Sequence, residues 1–317
     1  MKKFILILIT IITICINANA DSGAKCLLQH KGSVQFFDGD KIAAAIKAAT
    51  DGDTLFLSEG LYPGFTINKK ITVRGAGQES KIAGEVKINI SNNPTLTQTI
   101  LEWVNLVESN NITIETPMKK LKIKQCTFYT LNANASNIEN ALIDRCHING
   151  SIDGFKSVNI VNSKIYIAGY VNSGQEYLNC NIMGIRDNYV GKYTNCIIQS
   201  CYTSSYRYEP IINSFFKNCL FMDNDFSDLS SSSSAINCWY DTSLKITSNT
   251  FNCSLGKYEL EEKGYIGTDG TVVGIEGGSA PFTLEPSVPK VTNSTVAYDA
   301  ANKLLKVNLT VTTNNEQ

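Results

Sequence analysis

Tyr177-Leu178-Asn179-Cys180-Asn181-Ile182 and, sixteen residues later, Tyr193-Thr194-Asn195-Cys196-Ile197-Ile198 are two copies of one phrase: apolar, x, Asn, Cys, x, apolar. Working toward the N-terminus, the spacing recurs at Ile160…Ser163…Ile165, Ile143…Cys146…Ile148 and Ile123…Cys126…Phe128. Toward the C-terminus it recurs at Phe216…Cys219…Phe221, and Ile246…Asn249…Phe251 reads as a last copy. Successive copies start 20, 17, 17, 16, 23 and 30 residues apart. A repeat of this length defines a solenoid in which each unit buries its face only against its neighbours.

The phrase also defines the unit. The small residue and the apolar residue two places later share one strand face, because side chains alternate with period two. The apolar residue three places earlier has the wrong parity for the same flat strand. Both point inward only if the chain bends between them. Asn162, Asn179, Asn195 and Asn218 stand just before the small residue, and asparagine tolerates the left-handed backbone such a bend uses. Each unit is therefore strand, Asn bend, strand, turn. The predicted fold is all-β, a single right-handed parallel β-helix over 21–289, with an N-terminal capping helix and a β-hairpin cap or appendage over 290–317.

The stack also accounts for the cysteines. Residues 1–20 read as an export signal: Lys2 and Lys3, the apolar run Phe4 to Ile16, and Ala18-Asn19-Ala20 as the small-x-small cleavage site. Lipoprotein anchoring at Cys15 is disfavoured by Ile14 before it. The expected location is periplasm, outer surface or extracellular, with no membrane-spanning segment after cleavage. Cys26, Cys126, Cys146, Cys180, Cys196, Cys201, Cys219, Cys238 and Cys253 remain. Export favours disulfides, but stacked coils lie ~4.8 Å apart, whereas a disulfide sets its Cβ atoms roughly 3.8 Å apart. The column cysteines are thus expected to be small buried thiols. Disulfides would fall on Cys26, Cys201, Cys238 and Cys253, off the clean column.

Asp40 as N-cap, a helix burying Ile42, Ala45, Ile46 and Ala49, a stop at Asp51-Gly52, then Gly60-x-Tyr62, Gly75-x-Gly77 and Ile82-x-Gly84 resemble the start of pectate-lyase-like and pectin-methylesterase-like β-helices. Gly267-Thr268-Asp269-Gly270-Thr271-Val272-Val273-Gly274-Ile275, then Gly277-Gly278, resembles the closing segment of a mostly uncharacterised group of secreted bacterial β-helix proteins. These resemblances imply the fold and no particular activity.

The chemistry such enzymes require has few counterparts. Gly-His-Gly and Arg-Ile-Lys, the signatures of polygalacturonase-like enzymes, are absent, as is the Gly-Asp-aromatic strand motif of pectin-methylesterase-like ones. Only His30 and His147 are present. Asp144, Arg186 and Asp187 are the candidate catalytic residues, since outward acids and arginines on neighbouring coils can share a groove, bind Ca2+ or clamp a uronate. Solvated ion pairs are the competing reading. Asp223, Asp225 and Asp228 have calcium-like spacing without an EF-hand glycine and glutamate, and a polar turn is the plainer reading. No zinc motif is present, and no cofactor other than Ca2+ is suggested.

Eight of the 14 tyrosines fall at Tyr166, Tyr170, Tyr177, Tyr189, Tyr193, Tyr202, Tyr206 and Tyr208. Tyr202, Tyr206, Arg207, Tyr208 and Glu209 form a polar aromatic loop suited to stacking on and hydrogen-bonding sugars. Packing of these rings on the coil is the alternative. The chain has net charge −1, and no basic stripe suggests nucleic acid. Three functions follow: a non-catalytic exported protein binding polysaccharide or an envelope partner, a polysaccharide lyase or glycoside hydrolase with an atypical site, and a structural spacer or adhesin stalk. Oligomeric state is not legible.

Overall fold

The computed structural model describes residues 23–92, 94–134, 138–168, 174–186, 190–202, 213–222, 231–241, 246–247, 252–253, 256–284, 290–299 and 304–312. It is all-β, with parallel strands stacked as a solenoid of about eight turns. Among the described residues one face is a 12-stranded sheet whose parallel part runs from Thr54–Leu57 through Thr72–Arg74, Leu101–Glu102, Lys122–Lys124, Ala141–Asp144, Val158–Val161, Gln175–Leu178, Gly191–Thr194 and Phe215–Lys217 to Ser234–Ile236. The second is a 13-stranded sheet that includes Thr127–Phe128, His147–Ile148, Lys164–Ala168, Asn181–Arg186, Ile197–Tyr202, Leu220–Phe221 and Trp239–Tyr240.

The bend between the two sheets is left-handed in seven successive coils. Gln125, Arg145, Asn162, Asn179, Asn195, Asn218 and Asn237 have φ between 46° and 54°. Ile123, Ile143, Ile160, Tyr177, Tyr193 and Phe216 are buried before the bend, and Phe128, Ile148, Ile165, Ile182, Ile198 and Phe221 after it. Tyr177, Tyr193 and Phe216 stack with centroids 4.8 Å apart and planes within 9°, which is the coil spacing itself.

The small position does more than save space. The Sγ of Cys180, Cys196 and Cys219 each donates to the carbonyl two residues back, at 3.3, 3.2 and 3.5 Å. Each also reaches a carbonyl of the preceding coil: Ile160, Tyr177 and Tyr193. Ser163 Oγ makes the equivalent bond to Val161 O at 2.7 Å and accepts from Cys146 N at 3.0 Å. The carbonyls of Val161, Leu178, Thr194 and Lys217 already accept the bend N–H of the preceding coil, so the thiol or hydroxyl adds a second bond to each. A small side chain with one donor can make it, so cysteine and serine both fit.

Cys26, Cys126, Cys146, Cys180, Cys196, Cys219 and Cys238 carry free thiols. Cys26 and Cys238, two of the four disulfide candidates, are thus free, and the side chains of Cys201 and Cys253 lie outside the described residues. Burial pushes the Cys146, Cys196 and Cys219 thiols well above their ordinary value, and the thiol form is a poor nucleophile. Native protein is therefore expected to leave the column cysteines unmodified by iodoacetamide at pH 8. Denaturation without reductant should make them reactive, with intact mass as the readout.

Two expectations are corrected. Ile246–Thr247 pairs antiparallel with Asn252–Cys253, so it is no coil strand. The last coil is Ala235…Cys238…Tyr240, in register with Phe216 and Phe221. Alanine in the apolar slot, next to a serine run, hid it. Helix Ile42–Ala48 does bury Ile42, Ala45 and Ile46, but Asp40 is not its cap: no side-chain cap bond forms, and Asp40 pairs with Lys41 at 2.9 Å. Ahead of that helix lies an unanticipated hairpin, Lys25–His30 with Ser33–Asp38, whose first strand pairs antiparallel with Thr54–Leu57. It covers the N-terminal edge of the stack. His30 Nδ1 and Thr50 tie the hairpin to buried Asp53, the imidazole lying 2.8 Å from Oδ1.

Strands Lys290–Asp299 and Leu304–Thr312 form the expected hairpin and, among the described residues, pair only with each other.

Candidate functional site

Parity decides which side chains the second sheet presents outward. Thr127, His147, Lys164, Asn181, Ile197, Leu220 and Trp239 form one outward column in register. Carried two residues on, the same register gives a second column: Tyr129, Asn149, Tyr166, Met183, Gln199, Met222. Half of this face is apolar and would be exposed without a cover.

The cover is the segment from helix Lys257–Glu262 to Phe282. It does not close the end of the stack. It doubles back along the outside, across four coils. Leu260, Tyr265, Val272 and Val273 bury Ile197, Leu220 and Met222 in a second core outside the coil. The asparagines of the bend hold it. Asn218 Nδ2 donates to Ile266 O at 3.3 Å, and Asn195 Oδ1 accepts from Thr268 N at 2.9 Å. Asn162 Nδ2 donates to Gly277 O at 2.7 Å, and Ile275 N donates to Asn181 Oδ1 at 3.2 Å. Gly274 and Gly278 have φ of +82° and +79° and lie so close to Asn181 and Asn179 that a Cβ would collide with those amides. The Gly-rich phrase is therefore the strap's fit to the asparagine column. Asn162, Asn195 and Asn218 serve twice, through the left-handed backbone and through the amide, whereas Asn181, on the adjoining strand, contributes only its amide.

The described part of the strap reaches Lys164, whose ammonium lies 4.6 Å from the Phe282 ring centroid. Burial lowers the Lys164 pKa, and Glu276 opposes that shift. Neighbouring His147 is pushed down to about 4 by burial and then by Lys164. Beyond the described strap residues the second column is exposed at Tyr129 (43%) and Tyr166 (40%), with half-buried Asn149 between them, while Thr127 in the first column is buried against Gln78.

His147 makes the fold acid-sensitive. Its folded pKa is below the unfolded 6.5, so the unfolded chain takes up the proton first. Stability is intact above pH 6.5 and falls between 6.5 and about 4, by up to about 3 kcal/mol. Asp53 is also lowered, from 3.8, by hydrogen bonds from Thr50 and His30 that outweigh its burial, so its loss falls in a separate, lower window. His147→Gln is expected to flatten the urea midpoint between pH 6.5 and 4; an unchanged slope would show that another group is responsible.

The residues singled out in the sequence are placed as follows. Asp144 ends strand Ala141–Asp144 of the first sheet, 3.7 Å from Lys124 Nζ and 3.3 Å from Arg145 Nε. Arg186 ends strand Asn181–Arg186 of the second sheet, paired in register with Tyr202. Two coil steps separate Asp144 from the strand level of Leu178, and Arg186 belongs to that later coil. Asp187, Tyr206, Arg207, Tyr208, Glu209, Asp223, Asp225 and Asp228 lie outside the described residues. Among the described residues no group of three or more His, Cys, Asp or Glu is placed to hold a metal, and no helix is long and apolar enough to cross a membrane. Tyr129 was missed and Tyr166 was not assigned a role. Both follow the inward residue of a repeat, Phe128 and Ile165, and that position signals outward exposure.

Comparison with protein-family models, curated proteins and solved structures finds no match.

Proposed function

We propose that this chain is a non-catalytic exported β-solenoid that binds a glycan or an envelope partner along its outer surface. The observation that carries the reading is the open part of the second sheet, where Tyr129 and Tyr166 stand exposed on a stack of coils beside the strap. Exposed aromatic faces flanked by amides and hydroxyls suit sugar rings. The engagement of Asp144 by Lys124 and Arg145 supports binding over catalysis, since the carboxylate is already occupied by neighbouring cations. On this reading Tyr202, Tyr206, Arg207, Tyr208 and Glu209 extend the contact surface, Tyr202 from the second sheet itself.

A lyase or hydrolase with an unfamiliar site draws on one observation, the adjacent His147 and Lys164 with lowered pKa values, because such pairs cluster at reactive sites. Retention of residues 21–317 on neutral and acidic polysaccharides, with and without Ca2+, tests the first reading. Retention on one class without turnover is expected. Chain cleavage would move the protein to the enzyme reading, and no retention would turn the search to protein partners.

A further inference from the structure

Tyr129, Asn149 and Tyr166 directly follow Phe128, Ile148 and Ile165, which pair in register on consecutive coils, so period-two alternation puts the three in one outward column. The coil spacing is 4.8 Å where the core rings stack, so the two tyrosines stand two steps, ~9.6 Å, apart on the same face. In an extended β-1,4-linked pyranose chain each ring is turned over relative to the last. Every second ring therefore presents the same face, at a spacing close to two coils. An α-1,4-linked chain curves and does not hold alternate faces in line. Asn149, between the tyrosines, offers amide donors and an acceptor to the intervening ring's hydroxyls.

Charge around the column points to a neutral ligand. Glu276 offsets Lys164, and His147 is uncharged at pH 7 because burial and Lys164 hold its pKa at about 4. Thr127 and Asn149 are uncharged. The platform is bounded on one side by the strap, which covers Met183 in the next coil.

We infer that Tyr129 and Tyr166 form a two-ring platform for a neutral β-1,4-linked glycan lying along the coil axis. The inference rests on the glycan-binding reading and names its ligand class. Its test is titration calorimetry of residues 21–317 with cellohexaose and chitohexaose, against maltohexaose and polygalacturonate. The two β-linked probes distinguish plain from N-acetylated rings.

Binding of at least one β-linked hexamer is expected, with at least tenfold weaker binding in Tyr129→Ala and in Tyr166→Ala and none detectable in the double variant. Both rings are exposed, so the urea midpoint should stay near wild type. Tyr258→Ala, on helix Lys257–Glu262 with the ring 74% exposed, should bind as wild type. Equal binding of maltohexaose, preference for polygalacturonate, or β-linked binding untouched by both tyrosine variants would overturn the platform and leave the wider glycan reading standing. No binding to any glycan would overturn both.

Discussion

Replacing Tyr193 by alanine is expected to destabilise the protein by about 3–5 kcal/mol, the range for removing a buried aromatic ring. Tyr193 is 1% exposed and lies between Tyr177 and Phe216, parallel to both at 4.8 Å. The coil spacing is set by backbone hydrogen bonds on either side of the bend, so neighbouring coils cannot close over the hole. Two stacking contacts are lost together, each worth about 0.5–1.5 kcal/mol beyond buried area. Tyr193→Phe should cost only roughly 1 kcal/mol, because phenylalanine already fills this slot one coil later at Phe216. Urea denaturation followed by far-UV circular dichroism measures both. Comparable losses for the two variants would mean that the hydroxyl, and not the ring, carries the stability.

Asn195→Ala is the second large effect, about 3 kcal/mol. It combines two costs. Alanine at φ +54° meets the left-handed penalty of roughly 1–2 kcal/mol. Loss of the buried amide leaves the Thr268 N–H, which donates to Asn195 Oδ1 at 2.9 Å, without its partner, for another roughly 1–3 kcal/mol. Asn195→Gly separates them, since glycine accepts the backbone and removes only the amide. The glycine variant should recover about half the loss in urea midpoint while leaving residues 265–282 as sensitive to protease as in the alanine variant. If glycine restores wild-type resistance in that segment, the amide does not hold the strap.

The coil was legible in the sequence because one position combines several demands. The bend residue must accept positive φ, and the residue after it must be compact enough for the interior, so asparagine and cysteine or serine recur at fixed spacing. Where other residues meet the same demand the pattern fades. Trp103 takes φ +58° ahead of Val104 in an earlier coil, and Ala235 fills an apolar slot near the end. Neither reads as a copy.

The strap was legible as a phrase but not as a position. Its bonds join a side chain to a distant backbone, Asn162 to Gly277 across 115 residues and Asn218 to Ile266 across 48. No periodicity records such contacts. The outward apolar residues Ile197, Leu220 and Met222 were the available hint, because an uncovered sheet face seldom carries them together. The tyrosine platform was obscured for a related reason. Composition drew attention to the crowded segment 166–208, whereas the pair that shares a column is Tyr129 with Tyr166, 37 residues apart.

Hydrogen exchange of residues 265–282 tests the strap most directly. The amides of Thr268, Gly274 and Ile275 donate to Asn195 Oδ1, Asn195 O and Asn181 Oδ1, so peptides covering them are expected to exchange as slowly as those covering Gly191–Thr194. Exchange within seconds, while the coil strands stay protected, would mean that the segment does not lie on the asparagine column and that the second sheet's apolar face is covered by something else.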